Sequence, residues 1–440
     1  MSAAGIRRGS TAIAPEFRRL PDERVGHLVG AVGRGGSLAE HLQSYGPVPA
    51  LGPGNTLADL AAAAGLTGRG GAAFPTDRKL AAVGAKRRAV VVGNGAEGEP
   101  ASAKDRTLLV VRPNLVLDGL QLAGEAVGAR RLVLYLHRDA ELVATLDRLI
   151  ADRRRLGLDR RYVEVVEAPH RFLAGEESAL ATKVSGGLAL PRFTPPRVFE
   201  AGVRGAPTLV QNVETLAQLA LLARYGVEWF RSAGTADEAG TMLTTIHTVR
   251  GRQVLEAPLG EPLTALLQDP LTAGGATGAV LVGGYHGAWL TVDRAREVRM
   301  ANADLRPLGA AVGAGVLVGL PRSSCGLVET ARVLRYLAGE SAGQCGPCLN
   351  GLPAIAHGLD EIAGARPQQT TIANVRRWSG LVEGRGACHH PDGTVRLVRS
   401  ALSVFSDEVD RHQRGKCTGT DRAPFLPVPR GLPTTDEDWR

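Results

Sequence analysis

Two glycine-dense turns, GRGGAAFPTDRK at Gly68–Lys79 and GNGAEGEPASAKDR at Gly93–Arg106, combine residue types that suit a phosphorylated ligand. Consecutive glycines leave backbone amides uncovered, so a phosphate can approach them closely. Arg69 and Lys79 add positive charge, while Glu97 and Glu99 offer acceptors to a ribose or a nicotinamide amide. The chemistry suggested is that of a dinucleotide or flavin nucleotide site. Glycines in such loops also form plain tight turns, so the reading rests on Lys79, Glu97 and Glu176 standing in register with them.

The elements that must carry these loops alternate. The pattern predicts helices at Leu57–Ala64, Leu115–Val127 and Ala140–Arg155, and strands at Ala89–Val92, Leu132–Leu136 and Tyr162–Val166. Strand and helix in turn imply a parallel α/β sheet covered on both faces. The second loop directly follows the Val90–Val92 run, and ligands of such sheets sit beyond the carboxyl ends of strands. Residues 241–320 change to a small α+β unit, with strands at Met242–Val249 and Ala279–Val282 and a short helix at Leu263–Leu267. Four amphipathic patterns follow, beginning near Leu327, Leu349, Ile372 and Val395, with apolar residues three and four apart, so they should bundle. From Arg411 onward proline, glycine and charge predict an extended or disordered tail.

The chain has 440 residues, 44% hydrophobic and 22% charged, enough for two or three folded domains. Net charge is +8, and of 52 basic residues only Lys79, Lys86, Lys104, Lys183 and Lys416 are lysines. Arginines spread along the chain, with 4% aromatics and no long basic run, favour a solvated surface over a nucleic-acid footprint. No apolar stretch is long enough to span a bilayer, and MSAAGIRRGS lacks a signal-peptide core, which predicts a cytoplasmic protein or one peripheral to a membrane. The five cysteines, Cys325, Cys345, Cys348, Cys388 and Cys417, then suggest thiols or metal ligands over disulfides. Cys325 is expected to pack as a small apolar residue and Cys417 to be a free thiol.

Five motifs occur in one order: GRGGAAFPT, NGAEGEPASAKDR, AGEESAL at Ala174–Leu180, GAPTLVQNVETL at Gly205–Leu216 and ESAGQCGPCLNG at Glu340–Gly351. In them the chain resembles the FMN- and iron–sulfur-containing flavoprotein subunit of NADH:quinone oxidoreductase, found also in NAD-linked hydrogenases and formate dehydrogenases, over roughly Leu57 to Phe405. The resemblance implies an N-terminal arm (1–50), a Rossmann-like FMN/NAD-binding domain (51–240), and a ubiquitin-like β-grasp domain of SLBB type (241–325). An iron–sulfur four-helix bundle (326–410) and a tail (411–440) complete it. It further implies a protein that takes hydride from NADH onto FMN and passes single electrons through the cluster to a ferredoxin or a thioredoxin-like [2Fe–2S] subunit, within a larger membrane-associated redox complex. Gly68, Arg69, Gly70, Gly71, Lys79 and Asn94 would hold FMN from one side, and Gly175, Glu176, Glu177, Asn212 and Thr215 from the other. Phe74, Glu97 and Glu99 would meet NADH, the two glutamates as the catalytic pair.

Bland readings stand beside these: Phe74 as core packing, and Glu176 and Glu177 as ordinary carboxylates at a helix start. The chain also departs from the family pattern. Ala82 and Arg197 stand where aromatic rings flank adenine, Ala96 replaces an acid, Phe172 a tyrosine and Gln211 an asparagine. The first of the bundle's clustered cysteines is Ala342, leaving Cys345, Cys348 and Cys388. The alternatives are a [4Fe–4S] cluster with His389 or His390 as fourth ligand, a [3Fe–4S] cluster, a cubane with one iron open, or thiols that bind nothing. These departures motivate a second function, a flavin and iron–sulfur electron-transfer or scaffold subunit that no longer oxidises NADH.

Overall fold

The computed structural model describes residues 16–17, 28, 37–51, 56–86, 88–272, 274–365, 367–368, 370–421 and 423–440. Most of the predicted N-terminal arm lies outside them, although Leu38–Tyr45 forms a helix capped by Ser37.

Four parallel strands, ordered Val163–Ala168, Arg131–His137, Val90–Gly95 and Thr208–Asn212, form one sheet. Val90, Val91 and Val92 are buried on both faces, as a strand sandwiched between helices must be. Pro113–Ala126 and Val213–Arg231 cover one face. They approach so closely that a Cβ on Gly119 would lie 1.9 Å from the Leu216 carbonyl oxygen. The helix Leu57–Ala64 opens on a Thr56–Asp59 capping box and closes on Gly65 in the left-handed region (φ 68°), which delivers the chain into the first glycine loop.

A second, mixed sheet has six strands in the order Glu16–Phe17, Gly251–Pro258, Thr241–Thr248, Val316–Pro321, Thr277–Val282 and Ala288–Thr291. Its apolar face closes over Leu263, Leu266 and Leu290. Helices Gly326–Gly339, Leu352–Ala363, Thr371–Val382 and His390–Val404 pack around Leu334, Ile355, Leu359, Val375 and Val398. The molecule is thus mixed α/β, with a parallel sheet and helices.

The chain beyond Arg411 takes the extended arm of the expectation. The helix Ser406–Gln413 continues past it, and the remaining residues run extended across the molecule without leaving it. Leu426 and Trp439 are buried, and the Ala189 amide donates to the Trp439 carbonyl at 2.8 Å. Two apolar anchors among many polar residues suffice to seat such a segment, and composition alone hides them. Among the described residues, no helix is long and apolar enough to cross a membrane.

Candidate functional site

The two glycine loops and the AGEE segment meet at the carboxyl end of the parallel sheet. Asn94, near the end of the strand Val90–Gly95, bridges them: its Nδ2 donates to the Gly175 carbonyl at 2.9 Å and its Oδ1 accepts from the Ala96 amide at 3.1 Å. The backbones touch so closely that side chains are excluded. A Cβ on Gly98 would lie 2.2 Å from the Phe172 carbonyl oxygen, and one on Gly175 would lie 2.5 Å from that of Ala96.

Lys79 reaches across to the Glu177 carboxylate and lies 3.4 Å from the Val210 carbonyl. Glu176 accepts from the amides of Ser178 (2.9 Å) and Ala179 (3.0 Å), capping the helix Glu177–Val184. The plain helix-start role therefore holds for Glu176, whereas Glu177 is turned to Lys79. Asn212 caps the helix Val213–Arg231, accepting from the Glu214 amide at 2.9 Å, and donates to Asp105 at 2.7 Å. A Cβ on Gly70 would sit 3.3 Å from the Asn212 Cβ, so the first loop passes directly over this cap. Gly71 turns the loop with φ 113°, and Gly68 closes it by donating to the Phe74 carbonyl at 2.9 Å.

Several expected roles differ in the structure. The Arg69 guanidinium is buried and donates to the carbonyls of Thr67 (3.2 Å), Thr241 (3.2 Å) and Ala239 (3.3 Å). Its charge is thereby committed to fastening the loop to the second sheet, and Thr215 accepts its amide at 2.9 Å. Phe74 is 45% exposed and is not core packing. Glu97 accepts from the amides of Lys104 (2.9 Å) and Asp105 (3.3 Å) at the start of the helix Lys104–Val111. Glu99 accepts from the amides of Ala101 (3.1 Å) and Tyr285 (2.7 Å). Burial pushes both carboxyls up to about 7, with Asp105 adding to the effect at Glu97. Both glutamates thus brace the second loop. Arg197 is exposed, with its amide on Glu200 at 2.8 Å.

Sequence reasoning missed a buried charged group beneath this floor. Lys104 Nζ lies 2.6 Å from Asp105, 3.0 Å from Glu214 and 3.3 Å from Asn212 Oδ1. Burial lowers the Lys104 pKa, but Asp105 and Glu214 outweigh it, so the ammonium stays charged. Thr76, which the sequence did not single out, and Gln211, singled out only as a departure from the family pattern, have Oγ1 and Nε2 buried without a hydrogen-bond partner. They sit at the start of the helix Thr76–Gly84 and in the strand Thr208–Asn212, the elements flanking Lys79. An unmet buried polar atom costs about 1–3 kcal/mol, a cost that a polar ligand seated there would remove. Loops without Cβ atoms, a lysine at their edge and unmet polar atoms beneath fit a phosphorylated flavin.

The thiols lie on the other side of the AGEE segment. Glu340 is buried, accepting from Arg171 Nη1 and the Phe172 amide, both at 2.9 Å. This fixes the end of the first bundle helix to the chain entering Glu176, and Ser341, Ala342 and Cys345 follow at once. Cys348 lies in a π-helical turn, Pro347–Gly351, a geometry frequent at functional sites. Burial raises its thiol pKa and the adjacent Cys345 raises it further. The Cys388 thiol is pushed up to about 11 by burial first, then by Glu176, Cys348 and Cys345. The three sulfurs therefore share one neighbourhood with Glu176. Cys345 and Cys348 are neighbours and both act electrostatically on Cys388; an iron–sulfur cluster would take such thiols as thiolates.

Neither histidine completes that set. His389 is 98% exposed and faces Asp392 at 3.5 Å. His390 is buried with both ring nitrogens engaged, Nε2 donating to the Leu337 carbonyl at 2.8 Å and Nδ1 facing His286 Nε2 at 3.1 Å. Burial lowers it to about 4, keeping it neutral. Histidine ligation is therefore corrected: one ring points to solvent and the other is packed among Phe172, His286 and the bundle backbone.

Comparison with known proteins agrees with this geometry. Residues 61–221 match the Nuo51 FMN-binding domain, and residues 328–412 match the NADH-ubiquinone oxidoreductase-F iron-sulfur binding region. The chain is 28% identical to an F-type subunit of the NADH-quinone oxidoreductase of Rhizobium meliloti (strain 1021), covering 90% of this chain and 97% of that one. It is 29% identical to the F-type subunit of the NADH-quinone oxidoreductase of Streptomyces coelicolor, covering 80% and 82%. An NAD+-reducing [NiFe]-hydrogenase in the air-oxidized state superposes with a TM-score of 0.74 at 27% identity, covering 86% of this chain and 64% of that chain. The chain thus matches both an FMN-binding and an iron-sulfur binding domain model, and over most of its length it is similar to F-type subunits of NADH-quinone oxidoreductase.

Proposed function

We propose that this protein oxidises NADH at FMN and delivers the electrons singly, through an iron–sulfur cluster, to a partner carrier in a larger redox complex. Bound flavin supplies a ring that takes a hydride and releases electrons one at a time, and the cluster supplies a one-electron acceptor. What supports the reading is the joining of the second glycine loop to the AGEE segment through Asn94 and Gly175, in a chain whose residues 61–221 and 328–412 match FMN-binding and iron-sulfur regions.

In this reading the backbone of Gly68–Gly71 and the Lys79 ammonium hold the phosphate, and Thr76 and Gln211 meet its polar neighbours. Asn94 ties the second loop to Gly175, Asn212 and Thr215 support the floor, and Arg69 acts through its fastening of the loop. Phe74, exposed at the loop edge, is the aromatic surface offered to the nicotinamide nucleotide. Glu97 and Glu99 keep the second loop rigid rather than exchange protons with the substrate. Cys345, Cys348 and Cys388 would bind three irons, and the Ser341 hydroxyl lies next to the Cys348 thiol. The six-stranded unit fits the ubiquitin-like SLBB domain, the four helices the iron–sulfur bundle, and a ferredoxin or thioredoxin-like [2Fe–2S] protein the partner.

Anaerobic titration separates this function from that of an electron-transfer or scaffold protein. Bleaching of flavin absorbance by NADH is expected; bleaching by dithionite alone would establish the second reading, which Arg197 and Ala82 at the adenine side favour.

A further inference from the structure

Away from the flavin and the three clustered thiols, four metal-ligating side chains converge where the helices end. Cys325 stands at the N-terminus of the helix Gly326–Gly339, and Glu408 and His412 lie one turn apart on Ser406–Gln413. Cys417 follows the left-handed turn at Gly415 (φ 69°). One ligand atom from each of the four lies within 4.8 Å of all the others. Cys325 Sγ is 3.6 Å from His412 Nε2 and 3.9 Å from Glu408 Oε1, and the latter two atoms are 3.1 Å apart. A tetrahedron with bonds of about 2.0–2.3 Å has edges of roughly 3.3–3.8 Å, so these separations need little adjustment.

The surroundings orient the ligands. His412 Nδ1 donates to the Ile362 carbonyl at 2.8 Å, which fixes the tautomer and turns Nε2 to the centre of the group. Thr418 holds Glu408 through its amide (2.7 Å) and hydroxyl (2.6 Å), and the Gly419 amide donates to Cys417 Sγ at 3.3 Å. A Cβ on Gly419 would lie 2.9 Å from that of Cys325, so glycine is what lets the two cysteine segments pass. The amides of Thr420 and Asp421 both donate to the Ser323 carbonyl at 2.9 Å, completing the join.

We propose that Cys325, Glu408, His412 and Cys417 form a closed zinc site that staples the carboxyl-terminal segment to the bundle, separate from Cys345, Cys348 and Cys388. Two thiolates, one imidazole and one carboxylate suit Zn2+, which takes four such ligands tetrahedrally and is redox-inert. Binding releases the two thiol protons. Beyond the staple the segment crosses to the flavin unit, with the Leu426 amide on Glu329 at 2.8 Å and the Gly431 carbonyl on Arg171 at 3.2 Å. The metal would thus secure the root of a strap that also touches Arg171, next to the flavin segment.

Elemental analysis of the full-length purified protein tests this. About one zinc per chain is expected beside the iron, with two sulfur and two nitrogen or oxygen neighbours in its X-ray absorption spectrum. Cys417→Ser and His412→Gln should each lose the zinc, keep iron and flavin, and be cut faster by trypsin at Arg414 and Lys416. Because Cys417 is exposed, its serine variant should fold normally. No zinc in the wild-type protein even after incubation with zinc chloride, zinc retained when Cys417→Ser and His412→Gln are combined, or a Cys325–Cys417 disulfide found by mass spectrometry would each overturn the proposal.

Discussion

Lys79 and Glu177 lie 98 positions apart in the chain, yet their charges meet at the edge of the loop pair. The lysine is 28% exposed there, so it can serve a phosphate without leaving its carboxylate. A hydrogen bond between charged groups contributes about 1.5–3 kcal/mol, so Lys79→Ala should weaken FMN binding by roughly tenfold to a hundredfold. Fluorescence of flavin released on dilution reads the effect directly, and unchanged retention would remove the lysine from the site. Cys345→Ser should abolish the iron signal while leaving flavin in place; a full complement of iron in that variant would refute the cluster assignment. Ala342 borders Cys348, whose thiol feels the Ala342 backbone amide. Ala342→Cys should therefore supply a fourth thiolate and raise iron content, changing an electron paramagnetic resonance signal visible oxidised into one visible reduced. At this scale much was legible, because glycines, lysine and cysteines announce themselves by type. What their side chains actually touch was not. Arg69 spends its charge on carbonyls about 170 residues away, Glu97 and Glu99 spend theirs on nearby amides and on Tyr285, and the Cys325–Cys417 pair joins segments whose separation no motif records.

The glycine loops work as elements because backbone meets backbone. Gly98 against Phe172 and Gly175 against Ala96 leave no room for a methyl group. Overpacking of this kind costs about 1–3 kcal/mol, and since the obstacle is a carbonyl rather than a flexible side chain, the loop itself must move. Gly98→Ala should accordingly lower thermal stability and release flavin. Gly380, in the helix Thr371–Val382 with nothing within 4 Å of its would-be Cβ, provides the contrast. Gly380→Ala should raise stability by about 0.5–1 kcal/mol through helix propensity alone. Differential scanning calorimetry with flavin quantification checks both, and equal effects from the two substitutions would show that the loop contact carries no particular strain. Helices and strands were read well where one periodicity ruled. Leu57–Ala64 and Ala140–Arg155 end where the caps at Thr56 and Asp139 and the following glycines require. The strand Thr208–Asn212 was hidden, because its residues read as part of a motif with polar Gln211 and Asn212, and only pairing with Val90–Asn94 makes it a strand.

Across the whole molecule, buried polar groups fasten the flavin unit to the second sheet. His247 Nε2 donates to the Ala101 carbonyl at 2.6 Å, Ala103 donates to Thr245 at 3.0 Å, and Leu243 donates to Glu214 at 2.8 Å. Burial lowers His247 and His137 from 6.5 to about 4, the latter helped by His170, and holds His286 well below its usual value. A depressed imidazole contributes stability that is present above about 6.5, and that stability is lost as pH falls toward 4, because the unfolded chain takes up the proton first. Glu97 and Glu99 act in the opposite sense. Raised from 4.5 to about 7, they lose stability as pH rises through that interval, since the folded state retains their protons. With His390 the lowered imidazoles number four, and with Glu214 and Glu340 so do the raised carboxyls, so the two sets oppose each other in the overlapping window and single variants separate them. Thermal melting across that range should show His247→Gln less sensitive to acidification than the unaltered protein and Glu99→Gln more sensitive. Parallel curves for all three proteins would mean that neither group keeps its buried, shifted state, and that the join between the flavin loop and the second sheet is open to water.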